Sequence, residues 1–438
     1  MTHRVPHGPH AALALATAGV LLAACGVGAN PVDNPQLSGD EVTITFAWWG
    51  ADARAKLTLK AIELFEQEHP NIDVDPQYAD WPGYWDRLAT TTAAGDMPDV
   101  SQFDQVYLAS YAQRGALLDL STVDNILNLS ALDDDILETG RVDGTQYAVP
   151  LGGAANGVVI NTSLFEEYDI ELPDLTTWTW GDFTRVAEEL TEASDGKARG
   201  VTPFSNSFDL GVWARQQGSE VFDDEAVVLD ADALASYWER QLDWIGSGAA
   251  PSVEHLIEMT DVTLDQVDVV TGRTGMAFIP AGAFTAYQSA APDFDYDLAN
   301  WPSDSTTPPG FQYLKPTMYW SAASTSSHPA EAALLIDFLS NDPRVGEIFG
   351  LDRGEPANPA FRKALVPGLD ATGRETLAFS EAMVEEVGEP ASITPSGGSA
   401  MDALLKRYTQ DVLLGEASPR EAAEGFISEL RDSVTAAN

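Results

Sequence analysis

The sequence predicts an α/β protein built from two domains, and three observations support that prediction. A strand–helix–strand pattern covers residues 42–74, which is the βαβ unit of a parallel sheet. Removing a predicted leader of 24 residues from the 438-residue chain leaves 414, which is too long for one hydrophobic core and suits about two. A stretch of small residues at 152–157 separates two apolar strands, and there we expect the chain to cross between domains.

The amino terminus has the pattern of an export signal. Arg4 precedes the apolar run AALALATAGVLLAACG at residues 11–26, and a positive start, a short apolar stretch and a small-residue exit are typical of secretory leaders. The run is too short to span a bilayer as a mature helix. Its segment LAAC at 22–25 resembles the lipobox of bacterial lipoproteins, where cleavage precedes a cysteine whose thiol is then lipidated.

We therefore predict a lipoprotein signal peptide at residues 1–24 and lipidation at Cys25. The alternative is an ordinary signal peptide in which the cysteine stands by chance. Cys25 is the only cysteine of the chain, so it has no partner for an intrachain disulfide, and an exposed free thiol is a liability. The prediction places a soluble protein outside the membrane, held to it by the lipid alone through a flexible tether at 25–40.

Charge excludes several classes of partner. The chain has 68 Asp and Glu against 23 Lys and Arg, for a formal net charge of -45. The basic residues are scattered, so we expect no nucleic-acid partner and no binding to anionic lipid surfaces, both of which need clustered cations. The acidic residues are spread along the chain, which favours a well-solvated surface over an acidic binding patch.

The first elements after the tether alternate strand and helix. Residues 42–46 alternate β-forming side chains and predict a strand, and apolar residues at helical spacing over 57–65 predict a helix. The segment HPN at 69–71 ends that helix, and 72–74 begin a second strand. Ligand sites are expected at the carboxyl ends of such parallel strands.

Later segments give further boundaries. The apolar strands at 147–150 and 158–160 flank the small-residue crossing. Thr179 is the predicted N-cap of a helix that follows it. Residues 418–421 (SPRE) combine a capping Ser, a Pro at the first helical position and a Glu at the third, so they predict the start of a carboxyl-terminal helix.

Signatures of catalysis and of cofactor binding are missing from the sequence. No HExxH, CxxC or GxSxG pattern is present, and the glycines of 152–157 lack the Lys and Ser or Thr of a phosphate loop. His69, His255 and His328 lie far apart in the sequence after the leader. Paired carboxylates of a glycoside hydrolase stay an open alternative, since 68 acids offer many pairs. We predict no catalytic residue, no metal site and no cofactor.

Aromatic residues near the first strand favour a sugar ligand. Trp48 and Trp49 end that strand beside Gly50, and a flat ring there would offer its apolar face to the C–H face of a sugar. The same cluster includes Phe46, Trp81, Tyr84 and Trp85. Asp52, Arg54 and Asp104 are the polar candidates nearby, although each could equally be a solvated surface charge.

Several segments, in order along nearly the whole mature chain, resemble family 1 extracellular solute-binding proteins. These proteins are the sugar receptors of bacterial ABC importers and are related to maltose-binding protein. The similar segments are FAWWG (46–50), FEQEHP (65–70), NIDV (71–74), GDMPDV (95–100), YAQRGAL (111–117), YAVP (147–150), GRTGM (272–276) and SHPAEAA (327–333).

The resemblance implies a type II periplasmic-binding-protein fold, in which hinge crossings join two α/β lobes around a ligand cleft. The first lobe would comprise residues 41–151 and 303–350, and the second 152–302 and 351–438. Ligand would stabilise a closed state by touching both lobes. The closed protein, expected to be a monomer, would then dock on a membrane permease.

The resemblance also implies positions for the ligand contacts. The first lobe would contribute Trp49, Arg54, Asp104 and Gln105, together with Asp52 from the residue argument. The remaining contacts would be Asn206, Phe284 and Trp301 on the second lobe, Ala154 and Asn156 at the hinge, and Arg353 and Glu355 near the last crossing.

The hypothesis that follows is an extracytoplasmic, lipid-anchored binding protein that delivers a sugar or oligosaccharide to an ABC importer and is not an enzyme. One alternative is a secreted glycan hydrolase or lyase, which the missing catalytic signature disfavours. Another keeps the fold and binds a polyamine, metal or organic phosphate. Few basic residues disfavour anions, dispersed histidines disfavour metals, and the tryptophans favour sugars.

Overall fold

The computed structural model describes residues 34–50, 52–132, 134–223, 226–260, 262–383 and 386–437. The predicted signal peptide, the predicted lipidation site Cys25 and most of the tether lie outside these residues. Within the described ranges, none of the helices combines the length and the apolar character that crossing a membrane requires.

The chain alternates strands and helices over its first six elements, and runs of strands and of helices follow. Its first half comprises β1 (Val42–Trp49), α1 (Asp52–Glu68), β2 (Ile72–Ala79), α2 (Trp81–Ala94), β3 (Val100–Phe103), α3 (Gln105–Gln113), α4 (Asp134–Glu138), β4 (Arg141–Val142), β5 (Thr145–Gln146), β6 (Val149–Ala154), β7 (Asn156–Asn161), α5 (Thr162–Glu167), α6 (Trp180–Ala193), β8 (Arg199–Thr202) and α7 (Ser207–Gln216).

The second half continues with β9 (Phe222–Asp223), β10 (Ala226–Val227), α8 (Ala231–Ser247), α9 (Val253–Glu258), β11 (Thr274–Pro280), α10 (Phe284–Ala290), β12 (Tyr296–Ala299), β13 (Lys315–Ala322), α11 (Pro329–Asn341), α12 (Pro343–Phe349), β14 (Glu355–Pro356), α13 (Pro359–Leu365), α14 (Ala371–Met383), α15 (Met401–Leu413) and α16 (Pro419–Ala437). Short 3-10 turns occur at Leu120–Val123, Leu264–Gln266, Ala281–Ala283, Val366–Gly368 and Gly398–Ala400.

Two sheets organise these elements. The larger has the order β14-β6-β13-β3-β1-β2, and the smaller has the order β12-β7-β11-β8. In the larger sheet β1 pairs in parallel with β2, from Val42 opposite Ile72, which confirms the predicted βαβ unit. The predicted α/β class with two lobes is likewise confirmed, each sheet being the centre of one lobe.

The alternation of β1 divides the larger sheet into two apolar faces. Ile44, Phe46 and Trp48 pack into a cluster with α1, α11 and α12. Ala47 and Trp49 point to the opposite face and pack with α2 and α3. Successive side chains of a strand point to opposite sides of a sheet, which explains this division. We call the two sides the α1 face and the α2 face.

The chain passes from the larger to the smaller sheet at Ala155, within the predicted crossing. Close packing explains the small residues there. A Cβ on Gly152 would lie 2.2 Å from the carbonyl oxygen of Glu355, and one on Gly157 would lie 2.9 Å from Leu298. Gly152 therefore approaches the backbone of Glu355 at a distance that only glycine allows, and a side chain at Gly157 would require Leu298 to move.

Three segments pack on a different sheet from the one that the predicted lobe boundaries assign to them. Strand β6 stays in the larger sheet to Ala154 rather than leaving it after residue 151. Tyr313 packs with the smaller sheet, although 303–350 was assigned to the first lobe. Phe361 packs on the α1 face because β14 adds an edge strand to the larger sheet.

Caps predicted from the sequence are present. The Thr179 side chain and Asp182 form a reciprocal capping box at the start of α6. The Ser418 hydroxyl donates to Glu421 Oε2 at 2.7 Å where α16 begins. Both arrangements satisfy backbone N–H groups that a helix start otherwise leaves unpaired.

Candidate functional site

A groove runs between elements of the two lobes. Its wider part is a cavity of about 740 Å³ lined by the end of α3, the β4–β5 hairpin and residues 389–395. A narrower cavity of about 50 Å³ shares Ala391 and Ser392 with it and is lined by the first turns of α3 and α7. We call the two together the inter-lobe groove.

Helix starts face each other across the narrow part. The Asp104 carboxylate caps α3 by accepting from the Val106 N–H at 3.0 Å. The Asn206 side chain caps α7 by accepting from the Phe208 N–H at 2.9 Å. Gln105 lines the groove beside them, although most of its surface is buried. Of these three residues chosen from the sequence, Gln105 lines the groove, and Asp104 and Asn206 cap the two helices whose first turns form its walls.

Trp81 is far more accessible to solvent than the predicted contact Trp49. Trp49 is only 8% exposed on the α2 face, whereas Trp81 is 40% exposed. The two rings meet edge to face, with centroids 5.0 Å apart. Burial follows from position, because the last residue of β1 is covered by the start of α2. Trp81 follows the end of β2, so it too lies at a carboxyl end of the parallel strands, which is the signal that could have selected it.

Tyr107 joins this aromatic group to α3, the helix whose other residues line the groove. Its ring lies 3.9 Å from that of Trp85, centroid to centroid, and 6.2 Å from that of Trp81. Burial, and then the charges of Asp104 and Asp402, raise the pKa of Tyr107. The phenol thus stays neutral at physiological pH and can both donate and accept hydrogen bonds.

Arg54 and Asp52 have different surroundings. The Arg54 guanidinium donates to Asp352 Oδ2 at 2.9 Å and to the Asp352 carbonyl at 2.8 Å, so it ties α1 to the loop before β14. Asp52, in the first turn of α1, is exposed. Neither lines the inter-lobe groove.

The second-lobe aromatics chosen from the sequence are core residues. Phe284 is fully buried in a cluster with Val159 and Ile279. Trp301 is 2% exposed and stacks on Phe204 with ring centroids 5.6 Å apart. Both rings extend the apolar faces of the smaller sheet, which explains why they are withdrawn from the groove.

Arg353 and Glu355 lie near the last crossing but not in the groove. Arg353 is 4% exposed on the α1 face, where it donates to Thr58 Oγ1 at 2.7 Å. Burial raises the pKa of Glu355, which a hydrogen bond to Ser380 and the charge of Arg362 partly offset. Their roles are set by packing around β14.

A buried polar network connects the hinge to the groove. Asn156, the first residue of β7, donates from Nδ2 to Asp209 Oδ1 at 2.8 Å. Asp209 Oδ2 also accepts from the Ser205 N–H and from Asn206 Nδ2, both at 3.0 Å. Gln312 donates to the Asn156 carbonyl at 2.9 Å. The crossing is therefore bonded to α7, whose first turn lines the groove.

Burial raises the pKa of Asp209 to about 6, against the lowering effect of its four hydrogen bonds. Sequence reasoning missed this residue, since an Asp three positions after Asn206 resembles an ordinary acid in a first helical turn. Lys315 was also missed. It lines the narrow cavity, with Nζ 5.9 Å from the centre of the Phe208 ring.

Within the described ranges, no group of three or more His, Cys, Asp or Glu side chains is arranged to hold a metal ion. His255 pairs with Asp268 at 2.9 Å, and Arg273 lies 3.1 Å from the same carboxylate. That histidine joins a structural ion-pair group remote from the groove residues.

A family model for bacterial extracellular solute-binding proteins matches residues 45–343. An uncharacterized lipoprotein of Streptomyces antibioticus is 29% identical over 182 residues, 41% of this chain and 39% of that protein. An uncharacterized ABC transporter extracellular-binding protein of Pyrococcus horikoshii is 29% identical over 153 residues, 34% of each chain. A carbohydrate ABC transporter substrate-binding protein of Streptococcus pneumoniae is 27% identical over 192 residues, 42% of this chain and 37% of that protein. The matched region thus spans about a third to two fifths of these relatives.

Solved structures share the fold over most of the chain. A family 1 extracellular solute-binding protein from Alicyclobacillus acidocaldarius is 24% identical with a TM-score of 0.71, covering 91% of this chain and 99% of that one. A periplasmic oligogalacturonide binding protein from Yersinia enterocolitica, in complex with saturated digalacturonic acid, is 21% identical with a TM-score of 0.78, covering 91% and 100%.

Proposed function

Because this chain belongs to the bacterial extracellular solute-binding protein family, we propose that it is the binding component of an ABC importer for a sugar or oligosaccharide. The ligand would occupy the inter-lobe groove and be delivered to a membrane permease. The names of its relatives are consistent with this role, since they include carbohydrate and ABC transporter binding proteins.

The observation that carries the proposal is an exposed indole whose ring pairs with Tyr107 of α3, a helix that lines the polar groove. Trp81 offers a ring face of the kind that stacks on the apolar face of a pyranose. The adjoining groove presents Gln105, Ser207, Lys315 and Thr394, which can exchange hydrogen bonds with hydroxyls. Apolar platform and polar donors together are the recognition chemistry of a carbohydrate.

Capture would proceed by closure of the two lobes. The groove walls come from different lobes, and one crossing between them is the single residue Ala155. Ser396 Oγ already donates to Gln113 Oε1 of α3 at 2.7 Å, so polar contacts across the groove are sterically feasible. A ligand that touches both walls shifts the population toward the closed state by its differential affinity.

The test is a ligand screen on the purified, soluble domain. Intrinsic tryptophan fluorescence is titrated with mono- and oligosaccharides, and a saturable change that calorimetry confirms supports the proposal. Polyamines and organic phosphates are titrated in parallel, and tight binding of one of these with no sugar response contradicts it. The bound sugar is expected to be recovered unchanged, whereas protein-dependent cleavage would instead support a glycan hydrolase or lyase.

We also propose that Cys25 is lipidated and tethers a monomer to the outer face of the cell membrane. The support is the segment LAAC at 22–25. Mass spectrometry of the mature protein is expected to show a lipid-modified cysteine as its first residue. Cys25→Ser is expected to leave the precursor uncleaved, and an unmodified terminus at any other residue would contradict the assignment.

A further inference from the structure

A second cavity, of about 30 Å³, lies on the α1 face of the larger sheet, away from the inter-lobe groove. Its lining includes Trp320, Ser340, Phe349, Arg353 and Asn358. Trp320 and Phe349 belong to the apolar cluster of the α1 face, whereas the aromatic group of the groove belongs to the α2 face. The sheet therefore separates the two cavities.

Three buried polar atoms from this lining have no hydrogen-bond partner among the described residues. They are Trp320 Nε1, Ser340 Oγ and Arg353 Nε, and their residues are 0%, 8% and 4% exposed. The indole and guanidinium nitrogens can only donate, and a hydroxyl can donate as well. Leaving such donors unpaired in a protein interior costs about 1 to 3 kcal/mol each.

The positive charge of Arg353, which lines the same cavity, is only partly balanced by a nearby carboxylate. Arg353 Nη1 lies 3.4 Å from Asp352 Oδ2, but that oxygen is also 2.9 Å from Arg54 Nε. One carboxylate thus serves two guanidinium groups. The faces of Phe349 and Trp320, with ring centres 4.1 and 5.4 Å from Arg353 Cζ, supply further weak stabilisation.

Burial lowers the pKa of Arg353 to about 9, and the neighbouring charge of Arg54 acts in the same direction. The charged guanidinium is therefore destabilised where it stands. An acceptor that carries negative charge would satisfy the unpaired donors and offset this cost at once, which a neutral water does only in part.

We propose that this cavity is a binding site for a small monatomic anion such as chloride, with Arg353 Nε, Trp320 Nε1 and Ser340 Oγ as its donors. Size supports the assignment, because a water needs about 10 to 15 Å³ measured in this way. The cavity thus has room for about two waters or one halide, and a sulfate or a sugar is too large. The site would brace the loop before β14 against the core of the first lobe.

The first experiment is thermal unfolding of the full soluble domain in sodium chloride and in sodium gluconate at equal concentrations. The sodium concentration and the ionic strength are then equal in the two salts. General screening of the acidic surface therefore affects both midpoints equally, and the difference between them reports the anion. At ten times the dissociation constant, chloride is expected to raise the folding equilibrium constant about elevenfold, a shift in midpoint of about 1.5 to 2 °C for a protein of this size. Identical midpoints in the two salts across the titration would overturn the proposal.

Variants then locate the effect. Trp320→Phe and Ser340→Ala each remove one donor and are expected to reduce the chloride increment. Trp48→Phe and Ser321→Ala are matched controls, because their indole N–H and hydroxyl are also buried and unpaired but do not line the cavity. An increment that is equal in all four variants would show binding elsewhere and would overturn the assignment.

Soaking crystals in bromide tests for a bound anion directly and needs no variant. Crystals of the wild-type domain are expected to show an anomalous difference peak within hydrogen-bond distance of Arg353 Nε and Trp320 Nε1. Water alone in the cavity at saturating bromide would overturn the proposal. None of these measurements involves the sugar, so their outcome is independent of the proposed transport function.

Discussion

At the level of single residues, exposure separates the two tryptophans that could serve a ligand. Trp81 is 40% exposed and its ring pairs with Tyr107 of the groove-lining helix α3, whereas Trp49 is 8% exposed. Trp81→Ala is expected to lower sugar affinity about thirtyfold, equivalent to about 2 kcal/mol, because a stacked sugar loses its apolar platform. Calorimetric titration of the sugar that the screen identifies measures the change.

Two companion variants make that result specific. Tyr78 is 44% exposed on the α1 face, where it stacks on Trp48, so Tyr78→Ala is expected to keep wild-type affinity. Trp49→Ala removes a buried ring and is expected to destabilise the fold by roughly 3 to 5 kcal/mol. Unchanged affinity in a folded Trp81→Ala protein would remove this ring from the site.

Asp209 makes folding stability depend on pH. Its pKa is raised to about 6 in the folded protein, above the ordinary value of about 3.9 in an unfolded chain. The folded state therefore binds this proton more tightly than the unfolded state does. The contribution of Asp209 to the free energy of unfolding is complete below about pH 4, falls as pH rises through 6, and does not change further at higher pH. The difference between these two pKa values corresponds to about 3 kcal/mol of folding free energy.

Urea unfolding of the wild type and Asp209→Asn at pH 4, 5, 6 and 7 tests this contribution. The wild type is expected to lose stability relative to the variant between pH 4 and 7, with most of the loss complete by pH 6. Curves for the two proteins that stay parallel across this range would show that Asp209 titrates with an ordinary pKa.

At the level of elements, helix caps carry measurable stability. Thr179→Ala opens the capping box of α6 and is expected to cost about 1 kcal/mol in chemical denaturation. Thr90→Ala is the matched control. Thr90 is exposed within α2 and its hydroxyl bonds only to the Asp86 carbonyl in its own helix, so removing it should have little effect. Equal losses in both variants would show that the cap is not the cause.

More of the helices and strands than of the candidate site could be predicted from the sequence. Alternation over β1, the break at 69–71 and the caps at Thr179 and Ser418 are local signals, and each appears in the structure. Exposure of a given ring is not local. Whether Trp49 or Trp81 reaches solvent depends on how α2 covers the end of β1, and the burial of Phe284 depends on strands far apart in sequence.

Lobe boundaries are hard to predict for a related reason. Strand β14 has two residues, Glu355 and Pro356, and joins the larger sheet only by pairing with β6 about 200 positions earlier. So short a strand has no periodicity to detect. Long-range pairing therefore decides which lobe the segment after residue 350 joins.

At the level of the whole molecule, the hinge should convert ligand binding into a change of shape. The crossing at Ala155 is flanked by residues bonded to α7 through Asn156 and Asp209, so movement at the crossing is coupled to one wall of the groove. A sugar that spans the groove is expected to draw the lobes together and to reduce the radius of gyration measured by small-angle X-ray scattering. Trp81→Ala at the same sugar concentration is the control, because it should bind less sugar and show a correspondingly smaller reduction. A radius that stays unchanged in the wild type at saturating sugar would contradict closure and favour a groove that binds its ligand without moving.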